Sequence, residues 1–249
     1  AMKITPESAA KAYEELLRTA RVEIMFEGCG DPTLAKDIFA QKFAGVKREP
    51  IELSRSLVKA QQGAVKEETE RMEVKQGKLV MGFRVEGIED YRRMNMARIT
   101  FALFGGTANS LLFKNVREKM SLCYYCSSGY DRSNSIMMVS SGVEAENAQK
   151  ARDEVLHQLE MLKNGEFTDR ELEETKLFIR TALMATSDSL GAMDSWYLAQ
   201  TVGGSEVSPD MEIELSAQVS REDVIWVANH THLDTVYMLM PNENQKEAE

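Results

Sequence analysis

Two apolar stretches, Leu122 to Tyr130 and Ile136 to Val143, are separated only by the turn-forming run Asp131 to Ser135, a pattern that predicts a β-hairpin in the middle of the chain. What surrounds this hairpin narrows the fold. Strands precede it, three consecutive helical patterns follow it, and an apolar strand pattern closes the chain. That order is not the strict strand–helix alternation of a parallel doubly wound sheet. It predicts an α+β fold, a two-layer sandwich in which helices pack on a largely antiparallel sheet.

The flanking elements carry their own signals. Thr5, Pro6 and Glu7 form a helix start, followed by Ala9, Ala12, Tyr13, Leu16, Leu17 and Ala20 at helical spacing. Arg21 to Glu27 alternates Val22, Ile24 and Phe26 with polar positions and predicts a half-buried strand. Gly28 to Pro32 is a turn, and Leu34, Ile38 and Phe39 predict a short helix before an irregular connection over Lys47 to Lys66. Glu67 to Val85 predicts one or two strands broken at Gln76-Gly77, and Asp90 to Phe104 a helix stopped by Gly105-Gly106 in the left-handed cap conformation. A short helix over Ala108 to Lys119 leads into the hairpin. Beyond it, Ala148, Ala151, Val155, Leu159 and Leu162 form one helical face, and Thr168 with Glu171 is a capping box for a helix directing Leu172, Ile179 and Leu183 one way. Ser220 and Asp223 repeat the cap, Thr235 to Met240 is the last strand, and Asn242 to Glu249 is a polar tail.

With 249 residues, 43% of them hydrophobic, the chain can bury a real core. A net charge of −10 repels phosphate backbones and anionic membrane faces, so neither nucleic acid nor membrane is an expected partner. No apolar run approaches the roughly 20 residues of a membrane span. Three cysteines, Cys29, Cys123 and Cys126, are too few for a disulfide framework and suit a reducing compartment, and the expected location is the cytoplasm. Ala1-Met2 is not an ordinary start, so Ala1 reads as a cloning remnant and the chain as cut from a longer protein.

Neither H-E-x-x-H nor H-x-x-E-H occurs. His157 lies in a helix with no ligand-type neighbour at a matching turn. His230-Thr231-His232 with Asp234 would present both rings on one face of a strand, yet it follows the Ser220 helix, where an Asn-His turn capping carbonyls is the simpler reading. Cys123-x-x-Cys126 has no second pair to complete four zinc ligands, and on a regular strand its side chains point to opposite faces, which favours core packing. The 15 methionines are read as core filling.

The segment Phe104 to Tyr124 holds a Gly-Gly helix stop, a small-residue turn, Leu112-Phe113, Arg117-Glu118-Lys119 and Leu122-Cys123-Tyr124. It resembles the signature of the second domain in each half of pitrilysin, insulinase and mitochondrial processing peptidase-like (M16) zinc metallopeptidases. Gly82-Phe83, the hairpin, the helix near Ala148, the Thr168 box with Glu171-Leu172-Glu173, and Ser220-Arg221-Glu222-Asp223-Val224 follow in the same order. The resemblance covers nearly all of residues 21 to 241, with 1 to 20 a connecting helix and 242 to 249 the tail. It implies the M16 peptidase/LuxS-like metallohydrolase fold, and the Leu122-Cys123-Tyr124-Tyr125 variant looks closer to inactive bacterial members.

In that family a zinc half carries H-x-x-E-H plus a downstream Glu, and a second half closes over it. The resemblance implies that this chain is the second kind, with no metal or cofactor of its own, zinc on the partner half or subunit, and a peptide substrate between them. It also implies that Arg117 and Tyr124 project into the partner's cleft, a fixed cation and a hydroxyl donor aimed at a developing oxyanion. The residues alone allow something plainer, with Arg117 paired to a surface carboxylate and Tyr124 in the core. A scaffold module with no role in proteolysis is the alternative function. An independent small-molecule enzyme finds no nucleophile–base set or phosphate loop.

Overall fold

The computed structural model describes residues 4–52 and 63–242 and divides into two compact units. Part of the predicted Lys47 to Lys66 connection, Ala1-Met2, and all but Asn242 of the predicted tail lie outside the described residues.

The larger unit, drawn from Ser56–Ala185 and Val207–Glu249, contains a five-stranded sheet. Its strands are β1 (Lys66–Met72), β2 (Gly77–Val85), β3 (Cys123–Asp131), β4 (Ile136–Val143) and β5 (Thr231–Pro241), in the order β1-β5-β2-β4-β3. Of these pairings β1 with β5 is parallel; the other three are antiparallel, among them β3 with β4, the expected hairpin. In β2 the alternation decides the face: Leu79, Met81, Phe83 and Val85 are buried against the helices while the residues between them are not. The all-polar edge strand β1, Lys-Glu-Glu-Thr-Glu-Arg followed by Met72, is exposed throughout, and its charges discourage further strand addition.

Helices α3 (Tyr91–Phe101), α4 (Ala148–Lys163), α5 (Asp169–Met184), α7 (Pro209–Ala217) and α8 (Arg221–Asn229) complete this unit. The α4 face expected from spacing is the one buried, Ala148, Ala151, Val155, Leu159 and Leu162. Both capping boxes form, Thr168 with Glu171 and Ser220 with Asp223. Asp90 caps α3, which runs on as a π-helical turn, Ala102–Gly106.

The two glycines there are not a left-handed stop, since neither has a positive φ. Gly105 is needed for space: a Cβ would sit 2.6 Å from the Ser128 nitrogen and 2.8 Å from Leu112 Cδ1. β3 therefore packs directly on this backbone, and the Ser128 hydroxyl donates to the Phe101 carbonyl at 2.8 Å.

The smaller unit, from Ala1–Arg55 and Thr186–Glu206, holds α1 (Pro6–Thr19), α2 (Pro32–Phe43) and α6 (Leu190–Gly203). The last of the three helices expected between about Ala145 and Gly203 is α6, and it belongs to this unit. Thr5 caps α1 in a box with Ser8. Arg48 ties the chain back to α1 by donating to the carbonyls of Leu17 and, at 2.6 Å, Ala20. The strand expected over Arg21 to Glu27 does not form a ladder among the described residues. Val22, Ile24 and Phe26 instead line an open groove with Ala35, Phe39 and Phe43 of α2. Alternation recorded a one-sided apolar contact, which does not by itself supply a pairing strand.

Candidate functional site

The chain enters the site through a second π-helical turn, Phe113–Lys119, where Met120 N–H reaches the Asn115 carbonyl at 3.1 Å. Ser121 then takes a left-handed conformation, φ 52°, and the Leu122 N–H bonds to the Val116 carbonyl, so the backbone reverses sharply into β3. This reversal brings Arg117, at the end of the helical turn, beside Tyr124.

In the pairing of β3 with β4, Cys123 lies opposite Val143 and Tyr125 opposite Gly142, which leaves Tyr124 as the extra residue of a β-bulge. Arg117 Nε donates to the Tyr124 carbonyl at 2.9 Å. The guanidinium carbon also stands 4.5 Å from the centre of the Phe113 ring, a cation–π contact that fixes its plane. The Tyr124 hydroxyl donates to Glu144 Oε1 at 2.6 Å, and hydrogen bonding to that carboxylate, reinforced by its charge, raises the phenol pKa.

Both residues are exposed, Tyr124 at 62%, so the plain expectation of a core tyrosine does not hold. Arg117 and Tyr124 do meet, but through a main-chain carbonyl, with their functional ends held by Phe113 and Glu144. A phenol has one proton to donate, and here it is donated in a hydrogen bond to Glu144. Chemically the pair offers a positioned cation and a polar hydroxyl whose acidity a carboxylate controls. Phe113 stands out in the sequence only as part of the Leu112-Phe113 motif, and Glu144 not at all. Their roles depend on the bulge, which no count along a single strand reveals.

The other candidates separate. His157 is exposed on α4. His230 ends α8, its Nδ1 bonded to the Trp226 carbonyl at 2.8 Å and its ring stacked on Trp226 at 3.9 Å, the capping turn expected. His232 is the second residue of β5, opposite Arg84 and 3.9 Å from Glu86. Among the described residues no three His, Cys, Asp or Glu side chains converge. This donor set does not suit a catalytic zinc, which needs three protein ligands around an open position.

Cys123 and Cys126 depart from expectation. Their partners, Val143 and Ser141, are two apart on β4, so the bulge turns both cysteines to the same face.

Comparison with known proteins places the chain in a family. The "Peptidase M16 inactive domain" profile matches residues 3–177. Among curated relatives, the probable inactive metalloprotease YmfF of Bacillus subtilis (strain 168) is 28% identical over 242 residues, covering 96% of this chain and 56% of that protein. An uncharacterized zinc protease of Rickettsia bellii (strain RML369-C) is 25% identical over 173 residues, 63% of this chain and 39% of that protein. Among solved structures, a conserved protein from Enterococcus faecalis V583 aligns with TM-score 0.86 and 24% identity over 97% of this chain and 57% of that one. A peptidase M16 inactive domain from Pseudomonas fluorescens aligns with TM-score 0.78 and 21% identity over 96% of this chain and 58% of that one. The chain thus spans a little over half the length of the first of these relatives. With the profile covering well over half of the sequence and the fold agreeing, the chain belongs to the peptidase M16 family, as a domain of its inactive type.

Proposed function

We propose that this chain is the non-catalytic half or subunit of an M16-type zinc metallopeptidase, and that it supplies Arg117 and Tyr124 to a chamber completed by a zinc-bearing half. The observation that carries this reading is the bulge at Tyr124. It sets an exposed tyrosine beside an exposed arginine and anchors the arginine through Nε, which leaves the terminal amino groups of the fork as its remaining donors. A scaffold has no chemical need for such a pair. Zinc belongs to the partner half in this reading, a peptide is the substrate, and the assembly is a hetero-oligomer in the cytoplasm. The likeness to proteins called zinc proteases supports the family setting.

The second reading, an assembly module without a role in proteolysis, is favoured by one observation: the Tyr124 hydroxyl is already engaged by Glu144. Reconstitution with a zinc-bearing half separates the two. Replacing Arg117 by Ala or Tyr124 by Phe should lower kcat on the order of 10²-fold with little change in peptide binding, because a donor aimed at an oxyanion acts in the transition state. Circular dichroism and Tm control for folding. An unchanged kcat in an assembled complex carrying both substitutions makes the scaffold reading correct.

A further inference from the structure

We propose that Cys123 and Cys126 form a reactive dithiol, Cys123 the attacking thiol and Cys126 the resolving one, that exchanges with low-molecular-weight disulfides and closes to an intramolecular disulfide across the β3 bulge. The inference does not rest on the peptidase reading.

Geometry carries it. In an unbroken strand, residues three apart point to opposite faces and cannot be joined. Here the inserted Tyr124 gives the pair the spacing of same-face neighbours, opposite Val143 and Ser141. Two regular strand steps would separate Cα atoms by about 6.6 Å, near the upper limit for a disulfide, so it is the bend of the bulge that must bring the two side chains within bonding reach. The environments differ as an attacking and a resolving thiol require. Cys123 is half-buried at the start of β3, whereas Cys126 is buried, and both are free thiols. A hydrogen bond from Cys126, helped by Ser141 and by the charge of Arg117, pulls the Cys123 thiol down to about 7. The same bond and burial push Cys126 up, so the shared proton stays on Cys126. At neutral pH this gives Cys123 roughly fifteen times the thiolate fraction of an ordinary cysteine.

The exchange balances without a further reagent. The Cys123 thiolate attacks one sulfur of the disulfide, whose S–S bond breaks and releases one thiolate that takes up a proton. Cys126 gives its proton to solvent and attacks Cys123 Sγ, expelling the second thiol. Two protein thiols are oxidised and one small disulfide is reduced to two thiols.

The test uses the full chain carrying Cys29→Ser, which removes the exposed third thiol, with oxidised glutathione as probe and intact-mass analysis as readout. The expected product loses two hydrogens and carries no adduct. Adding Cys126→Ser should trap one glutathionyl group on Cys123, while adding Cys123→Ser should abolish reaction, Cys126 being buried. Iodoacetamide labelling of Cys123 in the Cys29→Ser chain should reach half its maximal rate near pH 7. Cys126→Ala serves as a second trapping variant if the serine disturbs the core, with circular dichroism reporting the fold. A stable adduct in place of closure, or equal labelling of the Cys123→Ser chain, overturns the proposal.

Discussion

The Tyr124 hydroxyl donates to Glu144 at 2.6 Å while the carbonyl of the same tyrosine accepts from Arg117 Nε at 2.9 Å, so one bulged residue joins a carboxylate and a guanidinium. The hydrogen bond to Glu144, with its negative charge, opposes loss of the phenolic proton and holds the pKa above the ordinary tyrosine value. Glu144→Gln should therefore lower the Tyr124 pKa. The shift is read by ring-carbon NMR of labelled tyrosine, with Tyr124→Phe identifying the resonance. An unmoved titration would mean that the bond is not populated in solution.

Gly105 and Gly129 make a contrasting pair. A Cβ at Gly105 meets the Ser128 nitrogen at 2.6 Å and Leu112 Cδ1 at 2.8 Å, whereas one at Gly129 meets nothing within 4 Å. Neither has a positive φ, so the difference between them is space alone. Gly105→Ala should cost about 1–3 kcal/mol through overpacking. Gly129→Ala should stay within about 0.5 kcal/mol of the parent. Urea denaturation measures both, and equal midpoints would refute the close approach of β3 to this turn.

Where local chemistry decides structure, the sequence was sufficient. The α4 face, the two capping boxes and the hairpin turn each depend on residues within a few positions of one another. α7 carried the same kind of signal, Ser208 as cap, Pro209 at the first position and Asp210 after it, and a reading attentive to caps would have found it. The misses have non-local causes. Gly105-Gly106 looks like a left-handed stop along the chain, but the reason for Gly105 is Ser128, in another element. The bulge at Tyr124 is a mismatch in residue count between two strands, and neither strand alone shows it. Likewise, the alternation of Val22, Ile24 and Phe26 fixes which side is apolar without supplying a partner strand.

The Thr168 box should be pH-dependent. Burial works to raise the Glu171 pKa, but bonds from the Thr168 backbone and hydroxyl, together with Lys114, leave it below the ordinary 4.5. For a carboxylate with a depressed folded-state pKa, the stabilisation is fully present above the unfolded value and fades as pH falls through the folded one. Glu171→Gln should then cost about 1 kcal/mol at pH 7, within the range of a capping interaction. At a pH below the folded-state value the two proteins should converge. A penalty independent of pH would show that shape, and not charge, governs this cap.

Glu212 offers the most stringent test of how α7 is held. Its side chain is fully buried, and its carboxylate accepts from the Tyr91 hydroxyl and, at 2.8 Å, from Arg98 Nη1, both on α3. A buried carboxylate is tolerable only with such partners, and removing it takes from the Arg98 guanidinium a buried counter-charge. Glu212→Leu should therefore destabilise the protein by about 3 kcal/mol, the low end for breaking a buried pair, because the Arg98 side chain keeps 25% exposure. Glu212→Gln, which keeps the shape and an acceptor, should cost less, about 1–2 kcal/mol. The decisive comparison is Arg98→Met combined with Glu212→Leu: replacing both charges by apolar groups should recover part of the loss, so the double variant is more stable than the two single losses predict together. Denaturation of the four proteins yields the coupling directly. Strict additivity would mean that Arg98 and Glu212 are neighbours without being partners.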